Sequence, residues 1–115
     1  MWNHILKYFV NRDLDERNQR IALTHQLIEI LEDASIAQLG GAQRDNSLLS
    51  AQAGVRDSLG RPDTATFSEE VVKPFGDAGA VVSGIVRSLN PQDQEIENRF
   101  IAAVGVDGRI LHMDI

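Results

Sequence analysis

The period of the apolar residues changes at Gly60-Arg61-Pro62. Upstream of that point apolar residues recur at helical spacing; downstream they run in short stretches rich in valine and isoleucine, separated by turn residues. A chain with helices first and strands afterwards cannot build alternating strand–helix–strand units. Its strands must pair as an antiparallel meander, with the helices packed against the sheet they make. The expected class is therefore α+β, with one sheet covered on one face.

On the helical side, Trp2, Ile5, Tyr8 and Phe9 form a first pattern, interrupted at Asn11-Arg12-Asp13. Asp13, with Glu16 three residues on, has the form of a capping box and predicts a helix from Leu14 to about Glu32. Its main stripe is Leu23, Leu27, Ile30, Leu31 and Ala34; a second stripe of Ile21, His25 and Ile28 lies nearly opposite. Such a helix is either sandwiched within one chain or presented to another. Ser35–Leu39 reads as a short strand stopped by Gly40-Gly41. A third helix is predicted over Asp45–Leu59, with Leu48, Ala51, Val55 and Leu59 on one face and Gly60 and Pro62 as its stop.

Four strands are predicted beyond Pro62. They are Thr64–Val72, ending at Lys73-Pro74; Ala78–Leu89; Glu95–Val106; and Arg109–Ile115. Asn90-Pro91-Gln92-Asp93 is turn chemistry, and Asp107-Gly108 is the signal for a two-residue type I′ hairpin. The 115 residues fit a single domain, 1–115, without repeats or linkers.

Composition removes several classes of function. Eleven Lys and Arg against seventeen Asp and Glu give a net charge of −6, and no two basic residues are adjacent. A phosphate-backbone binder needs a dense positive footprint, so nucleic acid is not an expected partner. With no cysteine, disulfides, thiolate metal sites and thiol nucleophiles are excluded. Met1–Val10 lacks the apolar run and cleavage site of a signal peptide, and no segment approaches the roughly 20 apolar residues of a membrane helix. A soluble cytoplasmic domain without membrane contact is expected.

Residues with chemistry are few. His4, His25 and His112 sit in three different elements and have no metal-ligand spacing, so no metal and no cofactor is expected. Alternation places His112 and Asp114 on one face of the last strand together with Ile110. They are either an acid–base pair in a cavity or the solvent face of a terminal strand. Glu97 and Arg99 share a face of the preceding strand, as a polar rim over a cavity or as a surface charge pairing with Arg87. No glycine-rich phosphate loop and no G-x-S-x-G elbow is present.

The stretch Phe67–Gly84, with its Gly76-Asp77 corner, resembles the strand–corner–strand passage of NTF2-like (cystatin-like) domains. Asn98–Val104 and Val106–Asp114 resemble their closing hairpin, Leu31–Gly41 their helix-to-first-strand passage, and Gln43–Leu59 their third helix. The likeness is strongest to the SnoaL-like and ketosteroid-isomerase-like branches and covers the chain from about Leu6 onward. It implies a curved antiparallel sheet forming a cone, helices closing an apolar pocket, and pairing into homodimers.

Functions on that fold range from isomerases and hydrolases to ligand binders, so the resemblance names no reaction. The position of the isomerase general base falls on Gln38, an amide that cannot take a proton. The oxyanion-stabilising acid falls near Phe100 or Ile101, which are apolar, and Tyr8 matches the oxyanion tyrosine loosely. The expected function is therefore binding of a small neutral apolar molecule, with Gln38, Asn98, Phe100 and His112 lining the pocket. One alternative is a SnoaL-type or epoxide-hydrolase-type enzyme using Tyr8, His112 and Asp114 as acid–base groups. The other is a dimerisation or scaffold module, carried by the stripe Ile21, His25 and Ile28.

Overall fold

The computed structural model describes the backbone of residues 2–115 and the side chains of residues 17–77 and 79–115. Tyr8 and His4 lie outside the described side chains. The first element, α1 (Trp2–Glu32), is one continuous helix. It passes through Asn11-Arg12-Asp13 without a break, so no helix begins at Asp13. Each of those residues costs a helix well under about 1 kcal/mol, and none is Gly or Pro. An interrupted apolar pattern is not a backbone stop.

Residues 33–40 then form turns and an extended passage instead of the expected strand. Asp33 shapes the turn, its Oδ1 accepting from the Ser35 amide at 2.9 Å and the Ser35 hydroxyl at 2.6 Å. Ala34, assigned to the apolar stripe, is exposed in this turn. Leu39 donates its amide to the Val72 carbonyl at 2.9 Å, one bond to the sheet edge where a strand would make several. Helix α2 (Gly41–Asp57) begins four residues before the expected start and buries Ser47, Ala51 and Val55, spaced i, i+4, i+8.

The Gly60-Arg61-Pro62 stop leads into a single 3-10 turn, Pro62–Thr64. The Thr64 hydroxyl donates to the Arg61 carbonyl at 2.7 Å and accepts the Leu89 amide at 2.9 Å, which holds Thr64 out of the strand expected to start there. Strand β1 (Thr66–Pro74) follows, then β2 (Gly79–Leu89), β3 (Glu95–Gly105) and β4 (Ile110–Asp114). They pair in the order β1-β2-β3-β4, all antiparallel, as an open sheet. Because β1 is an edge strand, Pro74 can belong to it and still pair with Ala80.

The β2–β3 and β3–β4 hairpins share a design. Asp93 donates its amide to the Asn90 carbonyl at 2.9 Å and takes φ +61°, while Asn90 Oδ1 accepts the amides of Gln92 and Gln94. At the last hairpin Gly108 donates to the Gly105 carbonyl at 3.0 Å and takes φ +84°. The type I′ turn expected at Asp107-Gly108 is not formed, since it requires positive φ at both residues and Asp107 has none. Its carboxylate instead accepts the Arg109 amide at 3.0 Å, and Gly108 alone carries the left-handed residue of a three-residue loop.

Sheet alternation divides the core. Val72, Val82, Val86, Phe100, Ala102 and Val104 pack with Ala51 and Val55 of α2. Val81, Ile101 and Ala103 pack with Leu23, Leu27, Ile30 and Leu31 of α1. Because Phe100, Ala102 and Val104 alternate with Ile101 and Ala103 along β3, the two helices lie on opposite faces. The expectation of one covered face is corrected: this is an α+β sandwich of helix, four-stranded antiparallel sheet and helix. The reason lies in β2 and β3, where Ala80–Val82 and Phe100–Val104 are apolar in both phases and two-sided burial is the only arrangement that removes them from water.

Candidate functional site

Helix α1 does not cover its whole face. It rests on Val81, Ile101, Ala103 and Phe75, toward the end of the sheet where β1 turns into β2. Further along the same face Ser83 and Ile85 are only half-buried, whereas Val82 and Val86 on the α2 side are fully enclosed. The uncovered part is a groove of about 550 Å³ between the α1 flank and the sheet. Ile28, Leu31, Val71, Ile85 and Ile101 supply its apolar surface, and Ser83 lies among them.

The irregularities of the edge strands shape this groove. Between Ser68 and Val71 the β1–β2 register shifts by one residue, a β-bulge. Glu69, at φ +52°, and Val71 line the groove, while Glu70 accepts a hydrogen bond from Gln52 Nε2 of α2 at 2.8 Å. A bulge of this kind re-aims side chains locally. A second register shift, between Ala103 and Val104, leaves Leu111 of β4 without a partner across the ladder. Asp114 pairs with Ile101 and lines the groove, so it lies on the α1 face. His112 pairs with Ala103 and lies there too, its Nε2 at 2.8 Å from the Thr24 hydroxyl of α1.

The groove edge is charged. Glu32 closes α1, Glu69 sits on the bulge, Asp114 ends β4, and Arg99 stands on β3; all four are exposed. Beyond Arg99, Arg87 Nε donates to Glu97 Oε1 at 2.8 Å. That hydrogen bond and the Glu97 charge hold the Arg87 guanidinium above its ordinary pKa. Just past the C-terminal end of α1, the Ser35 hydroxyl and amide hold the Asp33 carboxyl below the ordinary carboxylate range, with Lys73 adding to the effect. Lys73 is itself buried and donates from Nζ to the Asp33 carbonyl at 2.8 Å, tying β1 to the end of α1.

The residues expected to line one pocket are distributed over both faces and a loop. His112 is on the α1 face. Phe100 is 3% exposed, its ring edge-on to Phe67 in the α2-side core with centroids 5.8 Å apart, and it also borders the groove beside Gly84. Asn98 pairs with Val86 and is exposed, and Gln38 is exposed in the passage between the helices. Ile110, expected beside His112, turns toward Gly54 of α2, because the irregularity at Leu111 breaks the alternation between them. Of the pair Glu97 and Arg99, Glu97 joins Arg87 and Arg99 reaches the groove. His25 is exposed on α1 beside Ile21, on a shallow surface with Asn18, Gln26 and Glu29.

The chain matches no family model, no curated protein and no solved structure. Its chemistry is therefore read from the groove itself. Among the described residues no three His, Asp or Glu gather as a metal site, and no helix is long and apolar enough to cross a membrane. Glu69, Val71, Ser83 and Ile85 were not distinguishable as groove residues from the sequence. Ile85 and Ser83 follow from the β2 alternation once the register Ile85↔Arg99 is known, but nothing in Ser68-Glu69-Glu70-Val71 announces the bulge.

Proposed function

We propose that the chain is a small-molecule-binding domain whose ligand lies in the groove between α1 and the sheet. The observation that carries this reading is the groove: about 550 Å³, with an apolar surface drawn from α1 and all of β1, β2 and β3, and charged groups confined to its edge. That volume falls in the range of small-molecule sites, and the lining has their mix of apolar floor and few polar points. The NTF2-like resemblance supports the same class of function, since ligand binding without catalysis occurs on that fold. The helix-then-meander order agrees with the resemblance, and the cone is part of the proposal.

A thermal-shift screen of apolar and steroid-like compounds tests it, run on the native chain and on Ser83→Phe, which fills the groove. A ligand at 100 times its Kd adds about 2.7 kcal/mol, a rise of several degrees in Tm. The expected result is a rise in the native chain that Ser83→Phe abolishes. Equal shifts in both proteins, or none in either, would overturn it. The acid–base alternative has less to stand on: Nε2 of His112 is engaged with Thr24, and Asp114 is exposed at the groove edge.

A second reading, self-association through the α1 side, is favoured by Ile21 at 50% and Ile28 at 38% exposure on one flank of α1. Sedimentation over a dilution series decides it; a single monomeric species at every concentration contradicts a homodimer.

A further inference from the structure

Resting on the reading of the groove as a ligand site, we propose that its ligand is a cationic amphiphile. The apolar part lies on Ile28, Leu31, Val71 and Ile85, and a positively charged head, an ammonium or amidinium, is held at the edge. The edge has a sign. Glu32, Glu69 and Asp114 reach it from three different elements, against Arg99 alone, so it carries three negative charges and one positive. None of the four forms an ion pair or a side-chain hydrogen bond among the described residues. The other arginine on this face, Arg87, is already matched by Glu97.

The three carboxylates are exposed and outnumber the one guanidinium, so an anionic head would meet net repulsion along the whole edge. An uncharged head would leave them unchanged. A cation placed there is attracted by two charges in excess, in a setting where each exposed pair contributes modestly and salt weakens it. The net effect is about a tenfold preference over an uncharged ligand of the same shape. The chain's overall charge of −6 acts in the same direction at longer range.

Three eight-carbon probes, octyltrimethylammonium, octanol and octanoate, separate the possibilities. Each is titrated below its micellar concentration and followed by NMR of the Val71, Ile85 and Ile101 methyl groups in the full chain. The expected result is shifts at those methyls with all but octanoate, and octyltrimethylammonium about tenfold tighter than octanol in low salt. The advantage should fall in about 0.3 M NaCl and in the double variant Glu69→Gln, Asp114→Asn, while octanol binding stays the same. Equal affinity for ammonium and alcohol, or preference for octanoate, overturns the cationic assignment and leaves the groove reading standing. Absence of shifts at those methyls with every probe overturns both.

Discussion

Gly79 opens β2, and replacing it with alanine should cost the fold about 4 kcal/mol. Two separable effects make up that figure. The backbone there sits at φ +132°, ψ −126°, a region that side-chain-bearing residues hardly enter; occupying it costs about 1–3 kcal/mol. The second effect is steric. A Cβ at Gly79 would overlap the Val104 carbonyl oxygen and lie 2.9 Å from the Cα and carbonyl carbon of Gly105, its ladder partner. All three are backbone atoms, so no side chain can swing aside, and β2 must part from β3. Overpacking of this kind adds about 1–3 kcal/mol. Against the roughly 6–17 kcal/mol expected for a domain of 115 residues, that is a severe loss.

Gly76→Ala separates the two effects. Gly76 also has a positive φ, +52°, but a Cβ added there would meet no atom within 4 Å, so only the backbone cost of about 1 kcal/mol applies. Equilibrium urea unfolding reads both. With a slope of about 2 kcal/mol per molar, Gly79→Ala should lower the midpoint by about 2 M and Gly76→Ala by about 0.5 M. Losses within about 1 kcal/mol of each other would refute the close approach of β2 to Val104.

Three further outcomes follow from the geometry. Lys73→Met should lower stability by about 1–3 kcal/mol in urea unfolding, since it leaves the Asp33 carbonyl without its charged donor; an unchanged midpoint contradicts that tie. Glu69→Gly should stabilise the fold by about 0.5–1 kcal/mol, a midpoint higher by about 0.3–0.5 M, because glycine takes φ +52° without strain; a loss of stability would show that the bulge is not formed. The Asp33 carboxyl is held below its ordinary range, so its contribution is present above that range and is lost as pH falls through the lowered value. The stability difference between the native chain and Asp33→Asn should therefore shrink on acidification, and a difference independent of pH would be inconsistent with it.

Helices before strands, and the four antiparallel strands after Pro62, were legible in the sequence because they rest on period, which changes at Gly60-Arg61-Pro62. The strand expected at Ser35–Leu39, five residues with a single bond to the sheet edge, was too short for period to decide. Sidedness was not legible. Val81 and Val82, or Ile101 and Ala102, read alike in one dimension, and which helix takes which phase depends on contacts between residues far apart in sequence. The break expected at Asn11-Arg12-Asp13 shows the opposite error, in which a local polar interruption is read as a boundary although no residue there stops a helix. His112 and Asp114 were correctly placed on one face of β4, since both follow the irregularity at Leu111, whereas Ile110 precedes it and turns the other way.

The irregularity in β1 has its cause in packing. Phe67 and Val72 both pack toward α2, yet they are five residues apart, an odd spacing that puts side chains on opposite faces of a regular strand. An extra residue between them is required, and the register shift between Ser68 and Val71 provides it. The same insertion turns Val71 to the α1 side and brings Glu69 to the groove edge. In a regular strand that kept Phe67 under α2, Val71 would join the α2 core and Val72 would be turned out of it. The groove thus owes two of its lining residues to the packing demands of the opposite face, and the features that stabilise the α2 core and those that shape the site are set by one backbone irregularity.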